Sequence, residues 1–175
     1  MNKIFASGVL VVIVLSFIAC TGGNGSRADV LKEFSIDDST QVKMTSTSFD
    51  EKNSADGNGA LRINVNGDAI IPLFETGEID IEDATLLYKA KLKSENLDGV
   101  AFLQMWCVFD GKGEYFSKGL NTSITGTRDW QESQTPFFLK KGENPSNVKL
   151  QLVVSGTGTV WIDDIKIEKA KLPAM

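Results

Sequence analysis

Ala101-Phe102-Leu103-Gln104-Met105-Trp106-Cys107-Val108-Phe109 runs directly into Asp110-Gly111-Lys112-Gly113. Its odd positions are uniformly apolar, and side chains two apart on a strand share a face, so the segment reads as a strand with its odd face on a core. The even face carries Phe102, Gln104, Trp106 and Val108, a mixed set that includes a large aromatic ring. The Asp-Gly-Lys-Gly run ends the strand as a hairpin signal. No helical pattern follows it, which separates it from a phosphate-binding loop.

Working outward, Leu61, Ile63 and Val65 alternate with Arg62, Asn64 and Asn66. Leu86, Tyr88, Ala90 and Leu92 alternate in the same way with Leu87, Lys89, Lys91 and Lys93. Both segments predict half-buried strands, one face on the core and one on water. Further strands are expected over 135–140, over 148–154 with Gln151 on the polar side, and over 159–168, the last two parted by a turn at Ser155-Gly156-Thr157-Gly158. From Ala60 onward no segment holds a helical period over several turns. The fold class is therefore all-β. About eight short strands over about 140 residues suit a two-sheet antiparallel β-sandwich of jelly-roll type, occupying residues 30–169 as one domain with a short tail at 170–175.

The chain opens with one lysine, Lys3, then the apolar run Val9-Leu10-Val11-Val12-Ile13-Val14-Leu15, then Ser16-Phe17-Ile18-Ala19-Cys20. That layout is a secretory signal over residues 1–19. The apolar stretch is shorter than the roughly 20 residues of a spanning helix. Phe17-Ile18-Ala19-Cys20 resembles the bacterial lipobox, with Phe17 standing where leucine is usual. The resemblance implies a lipoprotein, lipidated on Cys20 and attached to a membrane of the cell envelope. Residues 20–29 then form a tether rich in Gly, Ser and Asn. The nine residues from Thr21 to Asp29 span roughly 15–18 Å as a flexible coil, which places the domain just off the lipid surface.

Only Cys20 and Cys107 occur. With Cys20 carrying lipid, Cys107 is expected to be a free, buried thiol. The signal holds one lysine and no acid, so the chain beyond it carries 17 basic against 23 acidic side chains, a net charge of −6. This excludes nucleic acid as a partner, since nucleic acid is bound through clustered Lys and Arg. There is no histidine, which removes Ser-His-Asp and Cys-His catalysis and most zinc sites. Glu75, Glu78, Asp80, Glu82 and Asp83 are clustered but read as a solvated connection, and the chain is not expected to be an enzyme.

The run Gly156-Thr157-Gly158-Thr159-Val160-Trp161-Ile162-Asp163-Asp164-Ile165-Lys166-Ile167 resembles the closing strand of galactose-binding-like jelly rolls, including many carbohydrate-binding modules. Gly59-Ala60-Leu61-Arg62-Ile63 resembles their early strand, and Trp130 with Thr135-Pro136-Phe137 resembles their mid-domain strand. The similarity spans Leu31 to Glu168. It implies carbohydrate binding and a structural calcium ion between the first and last strands, with Asp163 or Asp164 as ligand. Glu33 is a weaker candidate, because the order usual there is not present in Leu31-Lys32-Glu33-Phe34. Calcium takes about 6–8 oxygen ligands, which adjacent aspartates alone do not supply. The alternative is that Asp163 caps a turn or strand end while Asp164 faces water.

Trp106 leads the binding candidates. A sugar ring uses an aromatic platform for its C–H face and amides for its hydroxyls, so Gln104, Gln151 and Arg62 on polar strand faces join it, with Tyr115 and Trp130 bordering the groove. The alternative is Trp106 covered by a loop or packed under Glu114-Tyr115-Phe116. Two functions remain open: a glycan-binding module, with Trp106 in a groove among polar neighbours, or a structural or protein-interaction domain, with Trp106 buried or part of a flat apolar patch.

Overall fold

The computed structural model describes residues 28–36 and 46–174. The signal segment, Cys20 and the tether up to residue 27 lie outside the described residues. The strands run in the order β1 (Asp29–Phe34), β2 (Thr47–Asp50), β3 (Ala60–Asn66), β4 (Ala69–Glu75), β5 (Ala84–Phe109), β6 (Gly113–Lys118), β7 (Ile124–Leu139) and β8 (Asn147–Ala170). One turn of 3-10 helix, Leu120–Thr122, precedes β7.

The frame is a ribbon made by β5 and β8. They pair antiparallel from Thr85 opposite Ala170 to Val108 opposite Asn147. On the free side of β8 lie β4, β3 and β1 in turn, and β2 is added outside β3. On the free side of β5 lie β7 and then β6. All eight strands are thus hydrogen-bonded into one antiparallel sheet, and the two layers arise because that sheet folds over on itself.

The fold occurs where β5 and β8 slip register between Glu95 and Asp98, beside the facing pair Gly99 and Gly156. Both glycines have positive φ, 129° and 109°. A Cβ on Gly99 would strike the Ser155 carbonyl, and one on Gly156 would strike the Asp98 carbonyl, so only glycine lets the backbones cross there. This corrects two expectations. Residues 86–93 and 101–109 are one bent strand rather than two, and Ser155-Gly156-Thr157-Gly158 is a bend inside β8 rather than a turn between strands.

One core lies between the layers. Leu86, Tyr88, Leu92, Ile162 and Ile167 come from one arm of the ribbon, and Leu103, Met105, Cys107, Leu150 and Leu152 from the other. Alternation does the sorting: 86, 88, 90 and 92 are buried while 87, 89, 91 and 93 are partly exposed, as the sequence predicts. Each fully buried Leu or Ile contributes roughly 1.5–3 kcal/mol, so the core drives closure of the two layers. The free cysteine Cys107 is buried, and burial pushes its thiol up to about 12. The hairpin at Asp110-Gly111-Lys112 forms as expected, with Phe109 opposite Gly113.

Candidate aromatic strand-face site

The layer built from β4, the first half of β8, the second half of β5 and β6 presents its outer face through alternate residues. Across β6, β5 and β8, Phe116 faces Trp106, which faces Lys149. One step along, Lys118 faces Gln104, Gln104 faces Gln151, and Gln151 faces Pro72 of β4. Trp106 is half-buried and Phe116 is 52% exposed. Their ring centroids lie 5.0 Å apart with planes inclined at 52°. The Lys118 ammonium sits 5.2 Å from the Phe116 centroid. Lys149 Nζ is 2.8 Å from Glu114 Oε1, and that hydrogen bond holds its pKa above the ordinary lysine value.

Trp106, Gln104 and Gln151 are therefore brought together as the sequence implied, with one correction. Gln104 is 5% exposed rather than open to solvent, because its Nε2 donates to Gln151 Oε1 at 2.9 Å. Packing between Phe102 and Trp106 leaves this amide to stiffen the platform, and Gln151 is the more accessible of the two.

Arg62, Trp130 and Tyr115 are placed elsewhere. Arg62 lies on the other layer opposite Trp161, its guanidinium 5.6 Å from that ring. Trp161 is buried and donates through Nε1 to Asp50 Oδ2 at 2.8 Å. Burial would raise the pKa of Asp50, but the bonds from Trp161 and Asn53 and from the Lys52 and Asn53 backbone amides outweigh it and hold it at about 2. Trp130 belongs to β7 beside Gln131, which pairs with Leu92 on that same arm. Tyr115 points to the opposite side of β6 from Phe116 and overhangs the rim near Phe109, 6.0 Å between centroids.

Glu33, Asp163 and Asp164 do converge, lining with Asp56 a cavity of about 200 Å³ where β1 meets β8. Asp163 is 5% exposed, and its oxygens accept from Ala55 N at 2.7 Å, Asp164 N at 2.7 Å and Ser54 Oγ at 3.3 Å. Asp164 faces Lys91 at 3.7 Å and Lys166 at 4.0 Å. The Asp163 and Asp164 carboxylates are met by N–H, O–H and ammonium donors. Calcium needs instead a cage of carboxylate and carbonyl oxygens, and among the described residues no group of three or more acidic, His or Cys side chains forms one. As arranged, the residues do not fit the ion. Asp163 instead fastens the 51–58 loop to the closing strand.

The strand-face residues that sequence reasoning missed are Phe116, Lys118, Lys149 and Pro72. Two of them had a signal. Closing the Asp110-Gly111-Lys112 loop with Phe109 opposite Gly113 places Phe116 opposite Trp106 and Lys118 opposite Gln104 by counting back.

No family model matches the chain, and no curated protein is similar to it in sequence. Solved structures are similar in fold. A xylan-binding module of carbohydrate-binding family 22 from Paenibacillus barcinonensis superposes with a TM-score of 0.56 at 14% identity, covering 83% of this chain and 97% of that one. A family 30 carbohydrate-binding module of a cellulosomal cellulase of Clostridium thermocellum gives 0.52 at 20% identity, covering 81% and 92%. A two-module xylanase fragment from the same organism, complexed with xylohexaose, gives 0.56 at 11% identity, and the match covers 84% of this chain but spans only 30% of that one. The chain has the β-sandwich fold of these carbohydrate-binding modules.

Proposed function

We propose that this chain is a non-catalytic carbohydrate-binding module that holds a polysaccharide against the outer face of β6, β5 and β8. The observation that carries the reading is the Trp106–Phe116 pair, two rings side by side on a strand face that also presents Gln151, Lys118 and Lys149. Aromatic faces take the apolar C–H side of a pyranose, and Gln151, Lys118 and Lys149 stand within one or two strand positions to meet hydroxyls. The similarity in fold to modules that bind xylan supports a β-linked polysaccharide as ligand class.

The N-terminal segment supports a lipid anchor on Cys20 and a place in the cell envelope, so the module would present glycan at a membrane surface. Cys20→Ala is expected to block lipidation and release the chain from the membrane fraction. Processed, membrane-retained Cys20→Ala protein would overturn the anchor.

The glycan reading is tested by screening the purified chain on a glycan array, alongside Trp106→Ala and Phe116→Ala. Binding by the parent that both variants lose supports it. A parent that binds no glycan overturns it, in favour of a protein partner on this layer, where Ile70 is exposed opposite Val153.

A further inference from the structure

Around the edge of β6 from Trp106 lies a second aromatic feature. Phe109, Tyr115, Phe116, Phe137 and Phe138 line an open cleft of about 460 Å³ at the rim where the two layers meet. This volume falls within the roughly 300–1,000 Å³ of small-ligand sites. Phe109 and Phe137 form its floor, 6.2 Å apart between centroids and packed on the core. Tyr115 at 54%, Phe116 at 52% and Phe138 at 55% exposure stand over it. A soluble domain rarely leaves three large rings together in water without use for them.

The rim is polar and carries both signs of charge. Lys112 and Lys140 lie on it with Glu143. Its backbone is held in place: Tyr115 Oη donates to the Lys112 carbonyl at 3.1 Å, and Glu143 Oε2 accepts from Lys140 N at 2.8 Å. Rings below and hydrogen-bonding groups of both signs above suit a hydroxyl-rich ligand rather than a lipid tail.

The cleft is continuous with the strand-face platform through one residue. Phe116 faces Trp106 across β5 and β6 and also lines the cleft. Tyr115 and Phe116 are consecutive on an edge strand, so their rings stand on its two sides. A chain lying over Trp106 has only one strand spacing, about 4.8 Å, to cross before it turns over the edge into the cleft.

We infer that this cleft is a further glycosyl subsite, so that the module grips an extended internal stretch of polysaccharide bent over β6 rather than a single sugar or chain end. The inference rests on the carbohydrate reading of the Trp106 face. It makes affinity depend on chain length, with the cleft supplying that dependence.

Titration calorimetry with di- and hexasaccharides of β-1,4-linked xylose, glucose and galactose tests it. The parent chain is expected to bind a hexasaccharide about tenfold or more tighter than the matching disaccharide. Tyr115→Ala with Phe138→Ala is expected to remove that advantage and leave disaccharide binding unchanged, while Trp106→Ala weakens both. Both cleft positions are more than half exposed, and each single variant serves as a check should the pair fold poorly. If Trp106→Ala weakens binding but the cleft variants bind hexasaccharide as the parent does, the subsite is overturned and the strand-face reading stands. If the parent binds none of the sugars, both fall.

Discussion

Trp106 on β5 and Phe116 on β6 are directly opposed in the antiparallel ladder, and their rings meet at 5.0 Å on the outer face of the sandwich. Trp106 is wedged among neighbours and Phe116 is half in water, so the two differ in what their loss does. Phe116→Ala should leave the thermal midpoint nearly unchanged and weaken glycan binding about tenfold, or ~1.4 kcal/mol. Trp106→Ala should weaken binding at least as much and also lower stability, since it removes packing from a central strand. Equal binding by the parent and Phe116→Ala would show that the platform is elsewhere.

Asp50 makes stability depend on pH. Its carboxyl sits at about 2 in the folded chain, below its ordinary value of 3.8, so its charged form is favoured by folding. That contribution is fully present above the unfolded value and is lost as pH falls through 3.8 towards about 2. Asp50→Asn should therefore lower the melting temperature at pH 7 and flatten the acid limb between pH 4 and 2. A parallel downward shift at every pH would assign the effect to packing around Trp161 instead.

Asp163 joins the closing strand to the loop by accepting from the Ala55 backbone amide and the Ser54 hydroxyl, and it also accepts from the amide of Asp164 beside it in the strand. Asparagine keeps the shape but turns an N–H₂ towards donors, so Asp163→Asn should cost about 2 kcal/mol by denaturant unfolding. If the carboxylate works through these donors, a chelator should leave the parent's melting curve where it is. A fall of the parent's melting temperature in chelator, restored by added calcium, would show an ion at this junction.

Tyr88 is fully buried, and its hydroxyl has no hydrogen-bond partner among the described residues. Burial also drives its pKa far above the ordinary tyrosine value. An unpaired buried hydroxyl costs stability, so Tyr88→Phe should stabilise the chain by about 1 kcal/mol. Chemical denaturation reads this directly, and a loss of stability would reveal a partner for the hydroxyl.

Gly156 is required by both its φ and its space. Gly156→Ala should destabilise by about 3 kcal/mol or more, because it adds a carbonyl clash to left-handed strain. Gly111 has φ +69° but open space around it, so Gly111→Ala should cost only about 1 kcal/mol. Similar losses at the two sites would argue against a close crossing of β5 and β8.

Much of the strand pattern was legible by itself. The period-two alternation at 61–65, 86–92 and 101–109 assigned inward and outward faces correctly, because a strand's geometry is local and its side chains must alternate. The hairpin at Asp110-Gly111-Lys112 was legible for the same reason, since a short turn dictates its own register. What local pattern could not supply was distance in space. Gln104 looks like an exposed polar residue until β8 arrives with Gln151, 47 positions later, and the two amides bond and bury one of them. Arg62 has the polar spacing of a binding residue, yet pairing with β8 places it over Trp161 on the other layer, away from Trp106. The aromatic cleft joins residues of β5, β6 and β7 that no sequence window contains. Faces follow from backbone geometry within a strand. Neighbours across strands follow from long-range register and from a bend that two opposed glycines make possible, and only the closed sandwich decides those.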